Sequence, residues 1–221
     1  QLFRGIEALA TLALTQLKQV LDIYASRSVD AIAFMRDRDG EIDAMYTSLF
    51  RELLTYMMED PRNISPCTHL LFCAKNLERI GDQGVNIAKK AKVLNRYPLL
   101  KPLVDIPKMK VIATEMVSDS LKSFEENDSD LAESICLRDD ELDILYENIF
   151  DELLEIIGNK PEGDQATAQC AAGLLWIARH LARIGDHATN VAERVYFMVK
   201  GERLKPLLEE KRKVLSEKKG G

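Results

Sequence analysis

Acidic side chains recur at four-residue intervals in this chain, close to one turn of an α-helix. Glu78, Asp82 and Asn86 form one such ladder, Asp39 and Asp43 a second, and Asp139 and Asp143 a third, with Glu147 one turn further. Asp186 and Asn190 form a fourth. Helical residues four apart share a face, so each ladder is a strip of oxygen donors. Where antiparallel helices bring such strips together, the carboxylates repel one another unless they take up protons or share a cation. Hard oxygen donors suit Mg2+, Mn2+, Ca2+ or iron. A plainer arrangement uses the same residues: Arg79 and Arg183 lie within reach of acids on their own helices and could neutralise them as ion pairs. At the level of the residues both readings stand.

Other chemistry is poorly supplied. The residues three before His69, His180 and His187 are Pro66, Ile177 and Ile184, so the Glu-x-x-His pair of di-iron bundles is absent. There is no Ser/His/Asp or Cys/His signature and no glycine-rich phosphate loop. The chain therefore reads as a binding protein rather than an enzyme, with no organic cofactor. Cys67, Cys73, Cys136 and Cys170 form no CxxC pair and are expected as buried free thiols of a reducing compartment. A formal charge of −6 argues against a nucleic-acid partner, which would call for a basic stripe. No uncharged apolar run approaches the ~20 residues that span a bilayer, so a cytoplasmic protein is expected, peripheral to membranes through partners only.

The elements that must position the acids follow from periodicity. Aromatics are only 6% of the chain and β-branched runs are scarce, which predicts an all-α protein. Ile6, Leu9, Ala13, Leu17, Val20 and Tyr24 paint one stripe on a first helix. Ser28 is a candidate cap for a second, running to about Glu59 through Gly40. Ser65-Pro66 is the expected opening of a third. After a linker from Pro98 to Pro107 come a fourth helix to Glu126, a fifth from Ser129 to Ile157, and a sixth following a break at Gly158 to Gly163.

The second half repeats the first. Leu70, Cys73, Leu77, Ile80, Gly84, Ile87 and Ala91 return 104 residues later as Leu174, Ile177, Leu181, Ile184, Ala188, Val191 and Val195. Ile42, Asp43, Tyr46, Phe50 and Leu53 return 100 residues later as Leu142, Asp143, Tyr146, Phe150 and Leu153. The expected architecture is two tandem antiparallel three-helix bundles, residues 1–97 and 106–201, with a charged tail, helical or frayed, over 202–221. Gly81 and Gly185 repeat inside helices, where close approach of a neighbouring backbone or of a bound ion would explain them. Tyr46 and Tyr146 are expected in the core with their hydroxyls at its edge.

Leu77-Glu78-Arg79-Ile80-Gly81-Asp82 with Asn86-Ile87-Ala88, and Ala182-Arg183-Ile184-Gly185-Asp186-His187-Ala188-Thr189-Asn190, resemble the PhoU family of phosphate-signalling regulators. So do Leu54-Thr55-Tyr56-Met57-Met58-Glu59-Asp60-Pro61 and Tyr196-Phe197-Met198-Val199-Lys200-Gly201. The resemblance covers about residues 4 to 202. It implies six helices in two bundles and a negative regulator of phosphate uptake and starvation signalling. It also implies E/D-x-x-x-D motifs that hold metal, with iron, Mn, Zn, Mg or Ca as the candidate ions. On this chain those motifs fall at Glu78/Asp82, Asp39/Asp43 and Asp139/Asp143, with Asp186, Asn86 and Asn190 alongside. The implied partners are the ATPase subunit of a phosphate ABC transporter, a sensor histidine kinase and a second copy of the chain. Three features depart from the family pattern. Ala182 stands where the motif has Glu, leaving Asp186 without its partner; Gln83-Gly84 replaces a more usual His-Ala; and Tyr56 to Cys73 reads like the family's second repeat while lying in the first. A carboxylate-bridged metalloenzyme and a purely structural scaffold are the alternatives.

Overall fold

The computed structural model describes residues 2–26, 31–97, 100 and 105–210, with the side chains at 21, 23–26 and 31–39 left aside. The expected Ser28 cap, the side chains of Tyr24 and Asp39, and most of the linker lie outside the described residues. The chain forms α1 (Leu2–Ser26), α2 (Ala31–Glu59), a single 3-10 turn (Pro61–Asn63), α3 (Ile64–Leu94), α4 (Asp105–Glu126), α5 (Ser129–Asn159) and α6 (Gln165–Lys200). Residues 204–210 are also helical. There is no strand among the described residues, as the composition predicts.

Several helix ends follow from capping chemistry. The Asp128 carboxylate accepts from Asp130 N at 3.0 Å and Leu131 N at 2.9 Å, opening α5. Asp164 does the same for α6 through Thr167 N at 3.0 Å. The α6 helix closes on Gly201, whose left-handed φ of 74° lets its N–H reach Phe197 O at 2.8 Å. Two starts differ from expectation. The cap is Asp60 rather than Ser65: its carboxylate takes Arg62 N at 2.9 Å and the Arg62 guanidinium, with Pro61 opening the 3-10 turn. That turn runs directly into α3 at Ile64, so Ser65 and Pro66 sit in the first turn, where the missing proline N–H costs nothing. In the same way α4 starts at Asp105, with Pro107 inside its first turn and Asp105 paired to Lys108 at 2.8 Å.

The apolar stripes meet as the periodicity requires. Ile6, Leu9, Ala13, Leu17 and Val20 of α1 are buried, as are Leu77, Ile80 and Ile87 of α3 and Leu181, Ile184 and Val191 of α6. In each copy the first and second helices pack on the third; α3 then packs along α6 and α1 touches α4, so both bundles share one continuous core. All four cysteines are buried and none is joined in a disulfide. Tyr46 and Tyr146 pack against the core edge, with Lys75 above the first ring and Arg179 above the second, at 5.0 and 5.6 Å. The repeated glycines are explained by packing. A Cβ on Gly81 would stand 2.9 Å from Ile42 Cδ1, and one on Gly185 would overlap Leu142 Cδ2 outright. Ile42 and Leu142 are equivalent residues, so one knob-and-notch contact is used twice. The stretch after α6 is more than a frayed tail: Leu204 and Leu208 are 1% and 4% exposed and belong to the core.

One pattern at the α3–α6 seam was not read from the sequence. His69, Asn76 and Gln83 step by seven on α3, and His180, His187 and Arg194 step by seven on α6. Run antiparallel, they pair rung by rung. His180 Nδ1 donates to Gln83 Oε1 at 2.8 Å and His187 Nδ1 to Asn76 Oδ1 at 3.0 Å, while Arg194 donates to His69 Nδ1 at 3.2 Å. Three polar rungs in a mostly apolar interface fix the register of the two copies, because a slip would leave buried donors unpaired.

Candidate functional site: an acidic cleft between α5 and α6

The two copies treat their acids differently. In the first copy, Lys75 Nζ reaches Glu78 Oε2 at 2.8 Å, Arg79 Nε lies 3.6 Å from the same oxygen, and Arg79 Nη1 reaches Asp82 Oδ2 at 3.0 Å. These contacts, two of them i,i+3 pairs, neutralise the α3 ladder from within. Asp43 faces solvent and Asn86 is half-buried. The salt-bridge arrangement is thus the one realised on α3.

In the second copy, α5 contributes Cys136, Asp139, Asp140 and Asp143 to a cleft of about 410 Å3, and α6 contributes Asp186, Thr189, Asn190 and Glu193. Lys205 and Leu208 close one side. Among the described residues, no lysine or arginine lies within 4 Å of Asp139, Asp143 or Asp186, whereas Asp82 has such a partner. The difference starts in the sequence. Ala182 stands where α3 has Glu78, so Arg179, which like Lys75 lies over a tyrosine ring, has no carboxylate three residues on to bridge.

The electrostatic consequence is concentrated on Asp139. Burial, then the charges of Asp143, Asp186 and Asp140, push its carboxyl up to about 7. Thr189 offsets this slightly from nearby, but Thr189 Oγ1 is a buried atom with no well-formed hydrogen bond. Asp186 stands at the mouth of the cleft; partial burial of its carboxyl and then Asp143 raise it, against the pull of Arg179 and Arg183. Gly185 serves this site as well as the packing, since a Cβ there would stand 3.2 Å from Asp139 Oδ1.

The structure therefore gathers Asp139, Asp143, Asp186 and Asn190 of the expected set, and separates them from Asp43, Glu78, Asp82 and Asn86. Sequence reasoning missed Cys136, Asp140, Thr189, Glu193 and Lys205. Spacing could have pointed to Glu193, which lies seven residues after Asp186 on the same face; Lys205 arrives only by tertiary folding. Among the described residues no three Asp, Glu, His or Cys side chains already converge as a cage. They line the cleft walls. The oxygen-rich, mutually repelling donor set suits a hard cation, which would draw carboxylates from the two walls together.

Comparison with known proteins extends this picture. The family model described as PhoU domain matches residues 6–91 and again 106–195. The phosphate-specific transport system accessory protein PhoU homolog of Xylella fastidiosa (strain Temecula1 / ATCC 700964) is 31% identical over 208 residues, 93% of this chain and 85% of that protein. The homolog of the same description from Rhizobium meliloti (strain 1021) is 73% identical over 89 residues, 40% of this chain and 38% of that protein. Among solved structures, PhoU from Pseudomonas aeruginosa superposes with a TM-score of 0.84 at 24% identity, covering 91% of this chain and 96% of that one. The phosphate transport system regulatory protein PhoU from Streptococcus pneumoniae gives 0.79 at 23% identity, with 91% and 95% covered. At these identities the two structures speak to the fold.

Proposed function

This chain belongs to the PhoU family, and we propose that it acts in the cytoplasm as a negative regulator of phosphate uptake and phosphate-starvation signalling. In this reading it is a cation-binding adaptor between the ATPase subunit of a phosphate ABC transporter and a sensor histidine kinase. The observation that carries the reading is the tandem family match over both copies, joined to an acidic cleft in the second copy where, among the described residues, Asp139, Asp143 and Asp186 have no lysine or arginine within 4 Å. The relatives' names tie them to the phosphate-specific transport system as accessory proteins, which favours a binding module over a catalyst. Exposed apolar residues on the outer helix faces, among them Met58, Ile144 and Leu154, give partner proteins or a second copy something to bury.

Asp139, Asp143, Asp186 and Asn190 would hold the cation, with Glu193 beside them. When bound, the ion neutralises the cleft and clamps α5 to α6. Mg2+, Mn2+, Ca2+ or iron suit the oxygen donors, and Zn2+ fits less well without nitrogen ligands. The adaptor role is tested by affinity capture of the full chain from phosphate-replete and phosphate-starved cells. Recovery of the transporter ATPase or the kinase in one state supports it. Recovery of neither in both states contradicts it.

A further inference from the structure

We propose that a second cavity, next to the acidic cleft and of opposite character, is a binding site for a phosphoryl-type oxyanion carried on a small organic body. The cavity is about 430 Å3 and lies where residues 203–209 cross α3 and α6. Arg194, Arg203 and Lys205 line it. In a chain of net charge −6, three basic residues on the walls of one cavity need a reason. Among the described residues none of the three has a carboxylate within 4 Å, although Glu193 and Glu209 also line the walls. With three basic and two acidic residues on its walls and none of the bases ion-paired among the described residues, the cavity carries a net positive charge that a bound oxyanion would complement.

The arrangement is also preorganised. Arg194 is held over the Phe72 ring, its guanidinium carbon 4.2 Å from the centroid, and one nitrogen donates to His69 Nδ1 at 3.2 Å. His69 is itself held against Phe197, with ring centroids 5.3 Å apart. A fixed guanidinium loses little freedom on taking up an oxyanion, and its planar fork matches a phosphate edge. The remaining walls choose the body. Phe72, Phe197, Leu204 and Pro206 are apolar. The volume falls among pockets that hold small organic ligands, ~300–1,000 Å3, and is several times what free phosphate fills.

Asn190, Glu193 and Lys205 line both cavities, but this inference does not rest on the cation reading, because Arg194, Arg203 and the aromatic walls belong to this cavity alone and Asp139, Asp143 and Asp186 do not line it. The test is calorimetric titration of the full chain with a chelator present, using adenosine 5′-monophosphate, inorganic phosphate and adenosine. Saturable binding of the nucleotide, without binding of adenosine, is the expected result. Arg203→Gln, at an exposed position that leaves the fold intact, should weaken it roughly tenfold, as loss of a charge-assisted hydrogen bond does. Arg194→Gln should weaken it at least as much. Comparable binding of inorganic phosphate with the same arginine dependence would keep the oxyanion site but overturn the organic body, identifying free phosphate as its source. No saturable binding of either anion up to about 10 mM, or affinities indifferent to Arg203→Gln, would overturn it.

Discussion

Asp82 and Asp186 hold matched places in the two copies, yet Arg79 pairs with the first, while among the described residues no lysine or arginine comes within 4 Å of the second and Arg179 and Arg183 act on it only from a distance. The most consequential residue lies across the cleft from Asp186. Asp139 has its carboxyl raised from an ordinary value of 3.8 to about 7, burial being the larger cause and Asp143 the next. A raised carboxyl favours the fold fully below pH 3.8, and that contribution is lost as the pH rises through 7. Asp139→Asn should therefore stabilise the cation-free protein at pH 8 by roughly 1–2 kcal/mol and much less at pH 4, as measured by urea denaturation at the two values. Equal stability of the two proteins at pH 8 would count against the repulsion described here. The acids themselves were legible in the sequence, because i,i+4 spacing is a helix property. Which of them lack a basic partner was not, since Arg179 and Arg183 are as near in sequence to Asp186 as Lys75 and Arg79 are to Asp82. The presence of Ala182 where α3 has Glu78 was visible as the loss of a motif partner for Asp186; that same copy holds the electrostatically strained cleft.

Packing of the elements turns on two devices, one of them legible in advance. The glycine notches were visible as a repeat, and their partners Ile42 and Leu142 recur with the helices that carry them. Gly81→Ala and Gly185→Ala should each cost about 1–3 kcal/mol of overpacking in thermal or chemical denaturation, with Gly185 the larger because Asp139 as well as Leu142 would have to move. The polar ladder between α3 and α6 escaped notice because His, Asn and Gln at heptad spacing are unremarkable until the antiparallel partner is known. It makes its own prediction. Burial first, then Arg183, holds both His180 and His187 near 4; Asp82 opposes this at His187 without reversing it. A depressed histidine contributes stability that is complete above its ordinary value of 6.5 and is lost as pH falls toward 4. The fold should lose on the order of 2 kcal/mol per histidine between pH 7 and 4.5. A His180→Gln, His187→Gln variant should show a flatter profile in the same measurement.

At the scale of the whole molecule, duplication made the architecture readable: constant offsets between stripes predict two bundles with corresponding faces, and α3 lies against α6 accordingly. The chain beyond α6 was not readable in this way, because it lies outside the repeat and its charge masks Leu204 and Leu208. Those two leucines fasten the segment beside both cavities, so Leu208→Ala should cost about 2–4 kcal/mol on unfolding, far more than an exposed-tail substitution. The central claim is that duplicated helices built two acidic seams and only the second remains open to a cation. Its most direct test is Mn2+ titration of the wild-type chain, Asp82→Asn and Asp186→Asn, followed by calorimetry or by the loss of the free-ion paramagnetic resonance signal. Saturable binding by wild type and Asp82→Asn, weakened at least tenfold in Asp186→Asn, is the predicted result. Binding that survives Asp186→Asn but is lost in Asp82→Asn, or a wild-type chain that takes up no Mn2+, would contradict the account.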